Sequence, residues 1–278
     1  MPSASHVGEP FELVSGLAAD EASPVGCVCV HGFTGTPFEV RALGEQIAAA
    51  GLAAVGPLLP GHGTSLDHLD RTTWHDWVRA VDDAIDHTRE LVSRISGRPA
   101  KIAVVGQSLG GLLALHAASR RDDLACIASL AAPLWLDGLG KPVSRWTRPG
   151  GWLSFIKRLP KLGGSDILDR EAKALNPCYP AIPTKALAQL ADFMAVVDEA
   201  LPRVRCPVLV LHAKHDHTAP VACATRIAEA TRAERIRILP RSYHLIAADV
   251  ERDIVAAEVV AHLRRHTQPK KAETSCAT

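Results

Sequence analysis

The sequence predicts a single α/β domain, a mostly parallel central sheet flanked by helices on both faces and interrupted by a small cap (lid) insertion. Three observations lead there. Strand-like and helix-like runs alternate along nearly the whole chain, the pattern of units that pair in parallel and need helices on both sheet faces. A β-branched run, Ile102-Ala103-Val104-Val105, drives straight into Gly106-Gln107-Ser108-Leu109-Gly110-Gly111 and on into Leu112-Leu113-Ala114-Leu115-His116-Ala117-Ala118, so that strand, sharp turn and helix follow one another directly. The 278 residues, with 47% apolar and 22% charged content, suffice for one domain with a large buried core, and a length-based count of two domains is unnecessary.

Strands are predicted at 26–31, 52–57, 101–106, 124–131, 207–213 and 235–240, and helices at 37–50, 73–96, 109–121, 186–200, 219–231 and 250–266. In the helix over 73–96, residues Trp74, Trp77, Val81, Ile85 and Leu91 recur near a 3.6-residue period, which assigns them to core packing. The stretch 133–184 breaks the alternation. It is rich in Gly and Pro, has no clear strand, and carries Trp135, Trp146, Trp152 and Phe155 in a chain that is only 4% aromatic. A compact domain rarely holds so long an irregular piece unless it closes over a site, so the segment reads as a cap. The predicted organisation is a core of 1–132 and 185–267, a cap over 133–184, and a polar, flexible tail over 268–278.

Charge names no partner. With 31 basic and 30 acidic residues the net charge is +1, and no field of one sign points toward nucleic acid. Seven scattered cysteines, several inside apolar runs, read as small buried thiols of a reducing cytosol. Cys27 and Cys29 are expected on opposite faces of their strand, unable to share one ion. The first ten residues lack the basic start and apolar core of a secretory signal, and no run of about 18 apolar residues could span a membrane. The expectation is a cytoplasmic protein; no feature specifies an oligomeric state.

A serine placed where a strand turns sharply into a helix has a strained backbone and an exposed oxygen, and bulkier neighbours would collide across the turn, hence Gly106, Gly110 and Gly111. Serine hydroxyl is a weak nucleophile that needs a base, and the base needs an acid to fix its tautomer. On such a scaffold the partners follow in the order acid, then histidine. Asp216 lies just past the strand over 207–213, where an open α/β sheet places working side chains. The competing role for Asp216 is to cap a helix starting near Ala219, though it sits early for that and Thr218 could serve instead. His244 follows the next strand, 28 residues on (244 − 216). His212, His215 and His217 crowd near Asp216 without a clear three-ligand face for a metal. Near the start, His31-Gly32-Phe33-Thr34-Gly35-Thr36-Pro37 follows a strand and opens a helix, which makes the N–H groups of Phe33 and Leu109 candidate donors to an oxyanion. This chemistry needs neither metal nor cofactor.

Taken with Gly61-His62-Gly63-Thr64, Arg71-Thr72-Thr73-Trp74-His75-Asp76-Trp77 and Ser242-Tyr243-His244, these motifs resemble the bacterial monoacylglycerol lipase and carboxylesterase group of the α/β-hydrolases. The resemblance covers most of the core and fades in the cap until about Gly164-Ser165-Asp166. It implies an α/β-hydrolase fold with Ser108 as nucleophile, Asp216 as acid, His244 as base, and Phe33 and Leu109 as oxyanion donors. The implied substrate is a small acyl ester cleaved through an acyl-enzyme, and the apolar area of Trp135, Trp146, Trp152 and Phe155 is expected to line a closed pocket wide enough for a single chain. Two other readings stand beside it: a thioesterase, C–C hydrolase or perhydrolase using the same three residues, and a non-catalytic ligand binder or sensor on the same scaffold.

Overall fold

Burial is complete along the inner strands, as a parallel sheet covered on both faces requires. In the computed structural model, which describes residues 8–15, 17, 24–136, 155–161 and 163–267, every residue of β2 (Val25–Val30), β3 (Ala53–Gly56) and β8 (Val208–Ala213) is buried. With β1 (Phe11–Leu13), β4 (Lys101–Gln107), β5 (Leu124–Leu130) and β9 (Arg235–Leu239) they form a seven-stranded sheet in the order β1-β3-β2-β4-β5-β8-β9. Only the β1–β3 pair is antiparallel.

The period of two along each strand sorts side chains into two cores. Val28, Val30, Ile102, Val104 and Val210 meet α3 (Trp74–Ser96), α4 (Leu109–Arg120), α6 (Thr184–Ala200) and α7 (Ala222–Thr231) on one face. Cys27, Cys29, Ala103, Val105 and Leu211 meet α1 (Phe38–Ala49) and α8 (Arg252–Thr267) on the other. Two short helices, α2 (Leu66–Leu69) and α5 (Arg170–Leu175), lie in the connections. From the central β2–β4 pair the chain runs outward to β3 in one direction and to β5, β8 and β9 in the other. The carboxyl ends of β2 and β4 therefore border the crevice where strand order reverses, the usual ligand site of an open α/β sheet.

Every predicted strand and helix of the core is present, with ends moved by a few residues. Trp77 is fully buried, and Trp74 stacks on Phe193 with ring centroids 5.4 Å apart. Four expectations need correction. Cys27 and Cys29 share one face, their sulfurs 4.0 Å apart, because residues i and i+2 of a strand point the same way. The segment without a clear strand contains an antiparallel pair, β6 (Arg158–Pro160) with β7 (Ala181–Pro183), each too short to show alternation. Strand β1 is likewise three residues long and was not foreseen. Helix α7 begins at Ala222, not 219, because Pro220 lies in the turn before it. Trp146, Trp152 and the tail over 268–278 lie outside the described residues.

The turn into α4 is a close approach of backbone to backbone. A Cβ on Gly106 would lie 2.0 Å from the Gly110 carbonyl oxygen, and one on Gly110 would lie 2.1 Å from that of Val30. Gly110→Ala is expected to cost about 3 kcal/mol or more in urea unfolding, since backbone must move to admit it. Gly97→Ala, at φ 68° with nothing within 4 Å of the added carbon, is expected to cost only about 1–2 kcal/mol, the conformational term alone.

Candidate active site

Ser108 stands between the last residue of β4 and the first of α4 with φ 57° and ψ −115°. A side chain at positive φ is strained by about 1–2 kcal/mol, and here the strain is held by neighbours on all sides. The Ser108 N–H donates to Leu130 O at 2.7 Å, and the loop after β2 comes so close that a Cβ on Gly32 would lie 3.2 Å from the Ser108 Cβ.

His244 joins the two residues predicted to flank it. Its Nε2 lies 2.8 Å from Ser108 Oγ and its Nδ1 lies 2.7 Å from Asp216 Oδ2. Nδ1 carries the proton donated to the carboxylate, which leaves the Nε2 lone pair facing the serine hydroxyl. The second oxygen, Asp216 Oδ1, accepts the N–H groups of Thr218 at 2.8 Å and Ala219 at 2.7 Å, so Asp216 closes a turn ahead of α7 and caps no helix. His212 Nε2 donates to Ala219 O at 3.0 Å and lies 3.4 Å from Asp216 Oδ2, while His217 pairs with Asp166. The Asp216 side chain is fully buried and that of His244 is 6% exposed. Burial opposes protonation of His244, but the charge of Asp216 and the hydrogen bond to it outweigh burial and raise its pKa. Burial likewise pushes the Asp216 carboxyl up, and His244 together with the Ala219 N–H more than reverses this, for a net lowering.

The loop that carries His244 has little regular structure, and buried polar groups hold it. Gln107 Nε2 donates to His244 O at 2.9 Å, and Gln107 Oε1 accepts from Ala247 N at 3.3 Å, so the residue before the serine fixes the histidine loop. Glu251 accepts both N–H and Oγ–H of Ser242 at 2.7 and 2.8 Å. Asp249 accepts Tyr243 N at 2.7 Å and Asp169 N at 2.8 Å, tying the loop to the segment ahead of α5. None of these braces was foreseen. Gln107 stood inside the recognised motif, but nothing in spacing says which loop a buried amide will reach.

Phe33, the predicted donor, lies in the loop after β2, and Leu109 is the first residue of α4, whose N–H precedes the first intrahelical bond. The motifs around Phe33 support its loop. His31 donates from Nδ1 to Gly32 O at 2.9 Å and accepts Leu59 N–H at Nε2 at 3.1 Å, and His62 packs edge-on against His31 and Phe33. Tyr179 hydroxyl donates to Gly61 O and accepts Thr64 N–H, both at 2.8 Å. Glu39, in the first turn of α1, is buried and accepts Gly32 N–H at 2.7 Å; Gly35 leaves room for its carboxylate, since a Cβ there would lie 2.0 Å from Oε1. Burial pushes the Glu39 carboxyl up, against the opposing pull of Gly32 N–H, Lys161 and His244.

Above Ser108 lies a cleft of about 530 Å³, whose apolar wall comes from Phe33, Leu136, Ile182, Leu187, Leu190 and Leu245. Of the cap aromatics expected to line it, the two among the described residues do not. Phe155 is 75% exposed, and Trp135 packs on the core against α7, where Cys223 donates to its carbonyl. The helix predicted over 186–200 includes Leu187 and Leu190, but its sequence does not single them out as cleft wall.

The fold, with a strained serine at its switch point, defines an α/β-hydrolase. Residues 23–251 match the family model described as serine aminopeptidase, S33 (Hydrolase_4), and the chain belongs to that family. It is similar to the thermostable monoacylglycerol lipase of Bacillus sp. (strain H-257), at 31% identity over 94% of this chain and 99% of the relative. It is also similar to a carboxylesterase of Bacillus subtilis (strain 168), at 27% identity over 85% and 91%. A solved structure reported for LipS and LipT, two metagenome-derived lipolytic enzymes, superposes with a TM-score of 0.79 at 28% identity, covering 94% and 98% of the two chains.

The brace at Gly32 predicts a difference between two substitutions. Glu39→Gln keeps an acceptor for Gly32 N–H and is expected to hold ester kcat/KM within about threefold of wild type. Glu39→Leu leaves that N–H buried without an acceptor, at a cost of about 1–3 kcal/mol, so kcat/KM is expected to fall about tenfold or more.

Proposed function

We propose that the protein is a serine hydrolase of carboxylic esters that acts on small single-chain acyl esters, monoacylglycerols with medium-length chains among them. The observation that carries this reading is the hydrogen-bonded series Ser108–His244–Asp216 at 2.8 and 2.7 Å, opening on the apolar cleft. His244 Nε2 takes the hydroxyl proton as Ser108 Oγ attacks the ester carbonyl, and Asp216 stabilises the imidazolium that forms. The N–H groups of Phe33 and Leu109 receive the oxyanion. His244 then protonates the departing alcohol, and a water molecule, activated by the same imidazole, releases the acid from Ser108. The relatives named monoacylglycerol lipase and carboxylesterase support the substrate class. The segment 133–184 serves as the cap over the core of 1–132 and 185–267, and the apolar wall receives one acyl chain. The buried thiols of Cys27, Cys29 and Cys126 suit a cytoplasmic setting. No described helix is long and apolar enough to cross a membrane.

A panel of monoacylglycerols and simple esters tests this, with Ser108→Ala as the control. The rate should climb with acyl length, each buried methylene adding at most about 0.8 kcal/mol, and then fall once the cleft is full. Emulsified triacylglycerol should be cleaved more slowly than the matching monoacylglycerol. Ser108→Ala should fold normally and lose about 10⁴-fold or more in kcat; a tenth of wild-type activity in that variant would rule out the nucleophile.

The base must be neutral to accept a proton. Because the His244 pKa is raised in the folded protein, kcat/KM should increase with pH through an apparent pKa above about 6.5. Asp216→Asn retains the acceptor for Thr218 and Ala219 but removes the charge. It should lower kcat by about 10²–10⁴, shift that apparent pKa downward as the main charge opposing burial is lost, and leave Tm nearly unchanged. A flat profile from about pH 5 to 8 would count against His244 as base.

A further inference from the structure

On the side of the molecule built from β9 and the last helix, two histidines and a carboxylate converge apart from the serine. His262 and His266 stand one turn apart on α8, with ring centroids 4.7 Å apart, and Glu234 reaches them from the residue before β9. One ligand atom from each lies within 4.8 Å of the others, and a bound ion would draw them to the edge of about 3.3 Å that tetrahedral coordination at about 2.0–2.1 Å requires. His266 Nε2 is 2.7 Å and His262 Nδ1 is 3.8 Å from Glu234 Oε2.

The orientation of His262 favours a cation over a plain ion pair. Its Nε2 lies 3.1 Å from Ile127 O, and a carbonyl can only accept, so Nε2 carries the proton and Nδ1 presents a lone pair toward the Glu234 carboxylate. Two acceptors thus face one another at 3.8 Å, beyond hydrogen-bond reach and within the span that a shared metal ion bridges. A histidine whose remote ring nitrogen is anchored to a backbone carbonyl is the common arrangement behind a metal-bound imidazole. The side chains are 5%, 14% and 41% exposed for His262, His266 and Glu234, graded from the core to solvent. An adjoining cleft of about 540 Å³, also lined by Asp253 and Glu258, provides entry. The neighbouring cations Arg235 and Arg237 are engaged by Glu258.

We propose that His262, His266 and Glu234 form a site for a borderline divalent transition-metal ion, Zn²⁺ or Ni²⁺, that clasps the edge strand β9 to α8. A water molecule completes the coordination. When the ion binds, the proton on His266 Nε2 moves to Nδ1 if the ring is neutral, or is released if the ring is an imidazolium. Two nitrogens and one carboxylate favour such an ion over Mg²⁺, which prefers oxygen ligands and keeps its waters.

The test is calorimetric titration of the chelator-treated full chain with Zn²⁺, Ni²⁺ and Mg²⁺, beside His266→Ala and Glu234→Gln. The expected result is one Zn²⁺ or Ni²⁺ site per chain, weakened at least about tenfold in each variant, and no comparable Mg²⁺ binding. Saturating Zn²⁺ should raise the wild-type Tm by about 5 °C or more, and the shift should vanish in His266→Ala. Ester hydrolysis by metal-free variants, expected to match wild type, shows that they fold. Unchanged Zn²⁺ affinity in both variants, as thiols elsewhere would produce, overturns the proposal and leaves only a hydrogen-bonded pair; so does equal affinity for Mg²⁺.

Discussion

Helix α4 begins so close to the paired ends of β2 and β4 that there is no room for a single methyl group at Gly106 or Gly110. This contact of backbone with backbone is the constraint on which the site depends. It forces Ser108 into positive φ, turns its oxygen out of the sheet, and brings the first turn of α4 against the loop that carries Phe33. Because the contact falls where strand order reverses, the same crevice also receives the loops after β8 and β9, and with them Asp216 and His244. Close packing of this kind has few alternative arrangements, so strain at Ser108 is borne by the whole sheet and not relieved locally.

Buried carboxylates organise the loops that the sheet cannot. Asp216, Asp249, Glu251 and Glu39 each accept backbone N–H groups from segments without regular structure. Hydrogen bonds to a charged acceptor are about twice as strong as neutral ones, and in a water-poor setting the penalty for breaking them rises. The arrangement serves position more than stability: His244 is held by Gln107 from below and by Asp216 at its ring, while its loop is pinned on both sides. Of the four, only Asp216 faces the imidazole directly. The others act on N–H groups of the chain that carries the site.

What could be read from residues alone followed periodicity and local chemistry. The six core strands and six core helices were visible because long apolar runs and helical spacing repeat over many residues, whereas β1, β6 and β7, three residues each, are too short for a pattern to emerge. Ser108, Asp216 and His244 could be named because each follows a strand at the carboxyl edge of the sheet, in the order the scaffold demands. Phe155 was misread, since an aromatic side chain in an irregular stretch carries no sign of which way it faces. The two strand cysteines were misplaced by an error of parity rather than by missing information.

The sequence by itself determined the sheet-and-helix pattern, the strained glycine-flanked turn and the candidate residues, because each is set by sterics or spacing within a few positions of the chain. Tertiary structure alone decided which distant groups meet: Gln107 with the carbonyl of His244, Glu39 with Gly32, Tyr179 with Gly61, and Glu234 with His262 and His266. A hydrogen bond across 137 positions, as from Gln107 to His244, leaves no local trace. Its geometry exists only once the sheet is closed on both faces and water has been excluded from between the loops.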